Sequence, residues 1–153
     1  MPRFLVALLA FGLAACNPVE NLDEAADQID RFQNLFSNRS TDEMHLMGSA
    51  EFRETTSRED LEDLVSVVAG RLGSIEQSER ESFNINTTPG GTRTVVTMAT
   101  QFELGEGKET YTFIGNGENM QIVGWQVNSD RLLITPDEMK RLDEAPTAVE
   151  PAD

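Results

Sequence analysis

Residues 92–104 read TRTVVTMATQFEL and give the clearest indication of how the chain folds. Apolar and polar side chains alternate along much of this stretch, which is the two-residue period of a β-strand. One face of the strand collects Val96, Met98, Phe102 and Leu104. Because Val95 and Ala99 lie on the opposite face, we predict a central strand that is partly covered on both sides.

Glycine-rich turns separate this strand from its neighbours. The turns are Pro89-Gly90-Gly91, Gly105-Glu106-Gly107 and Gly115-Asn116-Gly117. They divide the second half of the chain into predicted strands at 75–86, 92–104, 108–115 and 119–128. Since short turns join antiparallel neighbours, the sequence predicts a four-stranded antiparallel meander.

Upstream of residue 75 the apolar period lengthens to about 3.6 residues, as in an amphipathic helix. We predict a first helix over 22–36, with Phe32 and Phe36 on its buried face, and a second through Met47 that Ser40 and Glu43 cap. Residues 49–52 can add another turn. A third helix follows Thr56 and Ser57 and ends at Gly73; either Thr56 with Glu59 or Ser57 with Asp60 could cap it. The expected fold is α+β, with three N-terminal helices packed on the four-stranded antiparallel meander.

The N-terminus combines one basic residue, Arg3, with an apolar run over residues 4–15. That run fits a signal peptide and is shorter than the roughly 20 residues of a membrane-spanning helix. It ends in Leu13-Ala14-Ala15-Cys16, which resembles the lipobox of bacterial lipoproteins. The resemblance implies cleavage before Cys16, lipid on that cysteine and attachment to a membrane, facing the periplasm. An ordinary signal peptide followed by a chance cysteine is the alternative.

These features divide the chain into four parts: a signal peptide (1–15), a lipidated tether (16–21), one α+β domain (22–142) and a disordered acidic tail (143–153). Asn17 stands where aspartate favours inner-membrane retention in lipoproteins, so the resemblance slightly favours the outer membrane. Residues 135–142 are expected to form a last helical turn.

Charge and residue counts exclude several kinds of function. Cleavage leaves 11 basic against 27 acidic residues, a charge of about −16 that repels nucleic acid. Lipidation of the single cysteine would leave no thiol for disulfides, catalysis or metal binding. The single histidine, His45, is expected to pack or to cap a helix. We therefore predict no metal and no cofactor.

Three segments carry a resemblance to a known fold. They are the aromatic end of the first helix, the run Ser49-Ala50-Glu51-Phe52-Arg53 before Thr56-Ser57-Arg58-Glu59, and the closing stretch from Asn116 to Trp125. Together they resemble bacterial members of the nuclear transport factor 2-like (cystatin-like) superfamily, a cone of helices wrapped by a curved sheet. Met120 departs from the tryptophan that this family usually has there.

The cone would have an apolar concave face. Five residues are assigned to it as ligand-binding candidates: Met98, Phe102, Phe113, Ile122 and Trp125. They are core residues first, but an incompletely filled cone leaves a cavity for a small apolar or amphiphilic ligand. We therefore expect a noncatalytic binding domain for such a ligand or for an envelope protein. The same face could instead form a homodimer.

Two further functions stay open. One is a structural or assembly lipoprotein of the cell envelope. The other is an isomerase- or dehydratase-like enzyme, because steroid-isomerase-like members of the superfamily place an acid and a tyrosine inside the cone. Tyr111 is the single tyrosine, and Glu103 and Glu109 are its candidate partners. Both acids lie near hairpin ends, where solvent exposure is expected.

Overall fold

Within the residues that the structure describes (18–135, 138 and 140), helices precede a sheet, as the sequence predicts. The structure is a computed structural model. The helices are α1 (Pro18–Ser37), α2 (Thr41–Met47), α3 (Ala50–Thr55) and α4 (Arg58–Leu72). The sequence predicts three helices and one further turn. That turn forms α3, because the Ser49 hydroxyl accepts from Phe52 N and caps a separate short helix.

The helix ends follow local chemistry, with two differences from expectation. Ser57 and Asp60 cap α4 reciprocally, and Gly73 ends it with a positive φ of 81°. Ser40 is the N-cap residue of α2, as predicted, but the capping box with Glu43 is wrong, since the Ser40 side chain makes no capping hydrogen bond. Helix α1 begins at Pro18 rather than at residue 22. Proline suits the first turn of a helix because its missing N–H would have no helical partner there.

The sheet is an open, curved antiparallel meander in the order β1-β2-β3-β4. Its strands are β1 (Ile75–Thr88), β2 (Gly91–Phe102), β3 (Gly105–Ile114) and β4 (Gln121–Asn128). The predicted fold class is thereby confirmed. One detail of β2 is wrong: the strand ends at Phe102, and Leu104 lies in the turn with 48% of its surface exposed.

The core lies between α1 and the helix-facing side of the sheet. Val96, Tyr111 and Trp125 are register partners across β2, β3 and β4. Phe32 of α1 packs edge-on against Tyr111, with ring centroids 5.6 Å apart, and Phe36 lies 5.7 Å from Trp125. Such aromatic contacts add to the burial of apolar area, so α1 is fixed on the sheet.

Two parts of the predicted organisation lie outside the described residues. They are the signal peptide with Cys16 and the tail over 143–153; the predicted last turn is described only in part. Among the helices that are described, none combines the length and the apolar character needed to cross a membrane.

Candidate functional site

A buried carboxylate, that of Glu109, lies between the sheet and α1. Burial alternates along β3, so Glu109 shares the helix-facing side with Tyr111 and Phe113. Its side chain is 0% exposed. Because an acidic group is costly to bury without partners, its contacts decide what it can do.

Glu109 accepts hydrogen bonds from four side chains. The Tyr111 hydroxyl and Trp125 Nε1 donate to Oε1 at 2.7 and 3.0 Å. Gln33 Nε2 and the Thr100 hydroxyl donate to Oε2 at 2.6 and 2.8 Å. Two carboxylate oxygens offer about four lone-pair positions, so this set of donors fills them.

Ser78 extends this network to the first strand. Gln33 Nε2 also donates to Ser78 Oγ, at 2.9 Å, and Ser78 Oγ lies 3.1 Å from Thr100 Oγ1. Since the Thr100 hydroxyl hydrogen is directed at Glu109, Ser78 must donate to Thr100. The network therefore connects α1 with all four strands. A satisfied buried network of this kind specifies one arrangement of its elements.

The surroundings of Tyr111 keep its phenol neutral. Burial raises its pKa well above the usual value of 10, and the adjacent negative charge and hydrogen bond of Glu109 raise it further. Tyr111 is therefore a permanent hydrogen-bond donor at physiological pH. It can stabilise a negative oxygen, and in this structure that oxygen belongs to Glu109.

An acid beside a neutral tyrosine is suitable for proton transfer, provided that a substrate reaches it. Tyr111 is 0% exposed, and a cavity of about 40 Å³ lies nearby between α1 and the first two strands. Leu22, Ile29, Val96 and Met98 are among its lining residues. That volume holds about one water molecule. In this arrangement Glu109 would have to release a donor before it could take a proton.

The five predicted ligand-binding residues all lie in the core. Their exposed fractions are small: Met98 8%, Phe102 0%, Phe113 0%, Ile122 0% and Trp125 7%. Phe102 packs against Phe36 with centroids 6.2 Å apart, and Trp125 packs against Phe32 and donates to Glu109. The packing supports their role as core residues. A ligand-binding role for them stays a prediction.

The expectation that Glu109 is exposed to solvent is wrong. It is the fifth residue of β3, and β2 and β4 flank it on both sides. The sequence did contain an indication that Glu109 is buried. It alternates with Tyr111 and Phe113, and this alternation places the acid on the apolar face of the strand. Glu103 does lie in the exposed turn, where its Oε2 accepts from Ser74 N at 2.7 Å.

His45 packs in the junction between α2 and α3, in keeping with its predicted packing role. Its Nε2 lies 2.9 Å from the carbonyl oxygen of Thr56, and its ring lies 6.3 Å from that of Phe52. The imidazole is 7% exposed. Because the Thr56 carbonyl can only accept, Nε2 is the donor, and this hydrogen bond joins α2 to the C-terminal end of α3.

The opposite face of the sheet carries an open groove, here called the outer groove. It crosses all four strands near the β2–β3 turn and has a volume of about 660 Å³. Its polar lining includes Gln77, Glu79, Gln101, Glu106, Lys108 and Asp130. Lys108 is paired with Glu81 at 2.6 Å, so within the part of the chain that the structure describes the charge in the groove without an ion-pair partner is acidic. The sequence does not predict this surface, because polar side chains on the exposed face of a strand are ordinary and do not indicate a site.

Among the described residues, no three His, Cys, Asp or Glu side chains are arranged to hold a metal ion. Comparison of the chain with known protein families, with curated proteins and with solved structures found no match.

Proposed function

We propose that this chain is a bacterial envelope lipoprotein with a noncatalytic, nuclear transport factor 2-like binding domain. Lipid on Cys16 would hold the domain at a membrane, facing the periplasm, with the outer membrane favoured. The observation that carries the noncatalytic part is the saturation of Glu109 by four donors in a closed core. A group that is fully engaged and enclosed stabilises a fold better than it transforms a substrate.

The outer groove is the surface that we assign to binding. Its three acids, Glu79, Glu106 and Asp130, face a volume large enough for several side chains of a partner. A polar, acidic lining favours a protein segment with basic and hydrogen-bonding side chains over a small apolar molecule. We therefore propose an envelope protein as the partner. A structural or assembly role would use the same surface.

Photocrosslinking in intact envelopes tests this assignment. A photoreactive amino acid replaces Ala99, which is exposed in the groove, and a matched variant carries it at Glu62 on the exposed side of α4. We expect one discrete adduct from position 99 and none from position 62. The double charge reversal Glu79→Lys with Glu106→Lys should remove the adduct. Equal labelling at both positions, or labelling that survives the charge reversal, would contradict the assignment.

The contact between Glu109 and Tyr111 favours a second candidate, the isomerase- or dehydratase-like enzyme. Their 2.7 Å hydrogen bond is enclosed, as the acid and tyrosine of such an enzyme would be. This function requires α1 to move so that a substrate can enter. Turnover of an unsaturated or hydroxylated apolar substrate that is lost in Tyr111→Phe, with folding retained, would replace the noncatalytic proposal.

A further inference from the structure

Three segments meet at one end of the domain, here called the α1 end (residues 18–21, 87–92 and 115–119). The Asn21 side chain connects two of them: it donates to Asn116 Oδ1 at 3.1 Å and accepts from Gly117 N at 2.9 Å. Gly115 N donates to Thr92 O at 3.0 Å and connects the third. The first turn of α1, the β1–β2 tip and the β3–β4 loop therefore form one connected surface.

The N-terminal connection places this surface close to any lipid on Cys16. Asn17 alone separates Cys16 from Pro18, where α1 begins. Two residue steps span at most about 7 Å. An acylated cysteine sits at the level of the lipid headgroups, so the first turn of α1 would be within roughly that distance of them.

Charge is distributed unevenly along β1 in a way that agrees with this placement. Residues 75–81 contain four charged side chains, whereas residues 82–92 contain none. The chain as a whole is strongly acidic, with a formal charge of −15. An anionic lipid surface repels acidic groups within about a Debye length, so the uncharged tip is the part of β1 that approaches it at least cost. The charged residues of the whole α1 end are two acids, Glu20 and Glu118, whose repulsion from such a surface the lipid on Cys16 would have to offset.

We propose that the domain stands on the bilayer with its α1 end against the lipid headgroups and its outer groove directed away from them. This orientation rests on the proposed lipid anchor. Strand β2 has 12 residues at about 3.3 Å each, so the β2–β3 turn would lie roughly 40 Å from the tip. Ala99, eight residues from Gly91, would lie about 25 Å from the tip, within reach of a partner in the periplasm.

Depth-dependent quenching tests the orientation. The mature lipidated protein has no other thiol, so single cysteines at Gly90, Asn119 and Leu104 can each carry a fluorophore. A Cβ at Gly90 meets only the Thr88 hydroxyl, at 3.6 Å, so that replacement is compatible with the turn. The proteins are placed in vesicles of zwitterionic and anionic phospholipid that contain a lipid with a nitroxide-labelled headgroup.

We expect most of the fluorescence to be lost at positions 90 and 119 and retained at position 104. Insertion of 12 glycine and serine residues before Pro18 should restore most of the fluorescence at position 90. Equal quenching at positions 90 and 104, or undiminished quenching after the insertion, would overturn the orientation. Mass spectrometry of the N-terminal peptide separates this from failure of the proposed function: a Cys16 without lipid would overturn both proposals, whereas a lipidated protein without the quenching difference would overturn the orientation alone.

Discussion

At the scale of single residues, replacement of Glu109 is expected to lower the unfolding free energy. In Glu109→Gln, an amide NH₂ replaces one carboxylate oxygen and faces two hydrogen-bond donors. Buried donors that lose their acceptor cost about 1–3 kcal/mol each. We expect the variant to lose roughly 3 kcal/mol of unfolding free energy, measured by urea titration followed by circular dichroism.

Glu106→Gln is the matched control, because Glu106 lies on the same strand and is exposed. Its unfolding free energy should stay within about 0.5 kcal/mol of the parent value. If Glu109→Gln were as stable as this control, the four hydrogen bonds would not be the constraint that we infer.

The raised pKa of Tyr111 predicts that the unfolding free energy decreases at alkaline pH. Burial, followed by the charge of Glu109, raises its pKa in the folded protein, whereas an unfolded tyrosine ionises near pH 10. The folded state therefore holds this proton more tightly. The contribution of Tyr111 to the unfolding free energy is fully present below about pH 10 and decreases as pH rises further.

Because the chain contains one tyrosine, phenolate absorbance reports on Tyr111 alone. We expect that absorbance to appear only as the protein unfolds. Tyr111→Phe should remove the decrease in unfolding free energy that Tyr111 causes above about pH 10. Phenolate absorbance near pH 10 in a protein with native circular dichroism would contradict the expectation.

The sequence contained only part of this site. Alternation along β3 was visible, and it placed Glu109 on the face of Tyr111 and Phe113. A glutamate near a hairpin end is ordinarily solvated, and this general tendency led to the wrong prediction. Gln33 lies 76 residues away, and nothing local indicates that its amide reaches the carboxylate. Convergence of distant side chains depends on tertiary packing.

At the scale of elements, the start of α4 offers a test of capping. The Ser57 hydroxyl accepts from Asp60 N at 3.1 Å, and the Asp60 carboxylate accepts from Ser57 N at 3.3 Å. We expect Ser57→Ala to cost about 1 kcal/mol of unfolding free energy. Thr56→Ala is the control, since the Thr56 contact with His45 uses the backbone carbonyl. A larger loss in Thr56→Ala would favour the alternative cap with Glu59.

The longer elements were predicted from their periodic patterns, whereas the short α3 was predicted only as a further turn. The four strands and the long helices follow from alternation, apolar stripes and glycine turns. Helix α3 has six residues, too few to show a period, and depends on a contact between its N-terminal cap and β4: Ser49 N donates to Ile122 O at 2.8 Å. The early start of α1 depends similarly on Asn21, which is buried against the β3–β4 loop.

At the scale of the whole molecule, the anchor is the feature that the sequence predicts most directly. Cys16→Ser should abolish incorporation of labelled palmitate, because only the thiol can form the thioether. The variant should also leave the membrane fraction after alkaline washing. The Cys16→Ala variant should likewise incorporate no palmitate and leave the membrane fraction. Continued labelling in both variants would show that the lipid is attached elsewhere.

Within the described residues the sheet has two edges, and part of each resists addition of a strand from another molecule. Along β1, irregular pairing at residues 75–77 and 80–82 interrupts the regular spacing that a neighbouring strand would need, and Glu76, Glu79 and Glu81 repel a second copy. At β4, the Gly48 bridge to Ile122 already occupies part of the edge. Molecules confined to a membrane meet far more often than molecules free in three dimensions. Protected edges would let many copies crowd one surface without polymerising into fibrils.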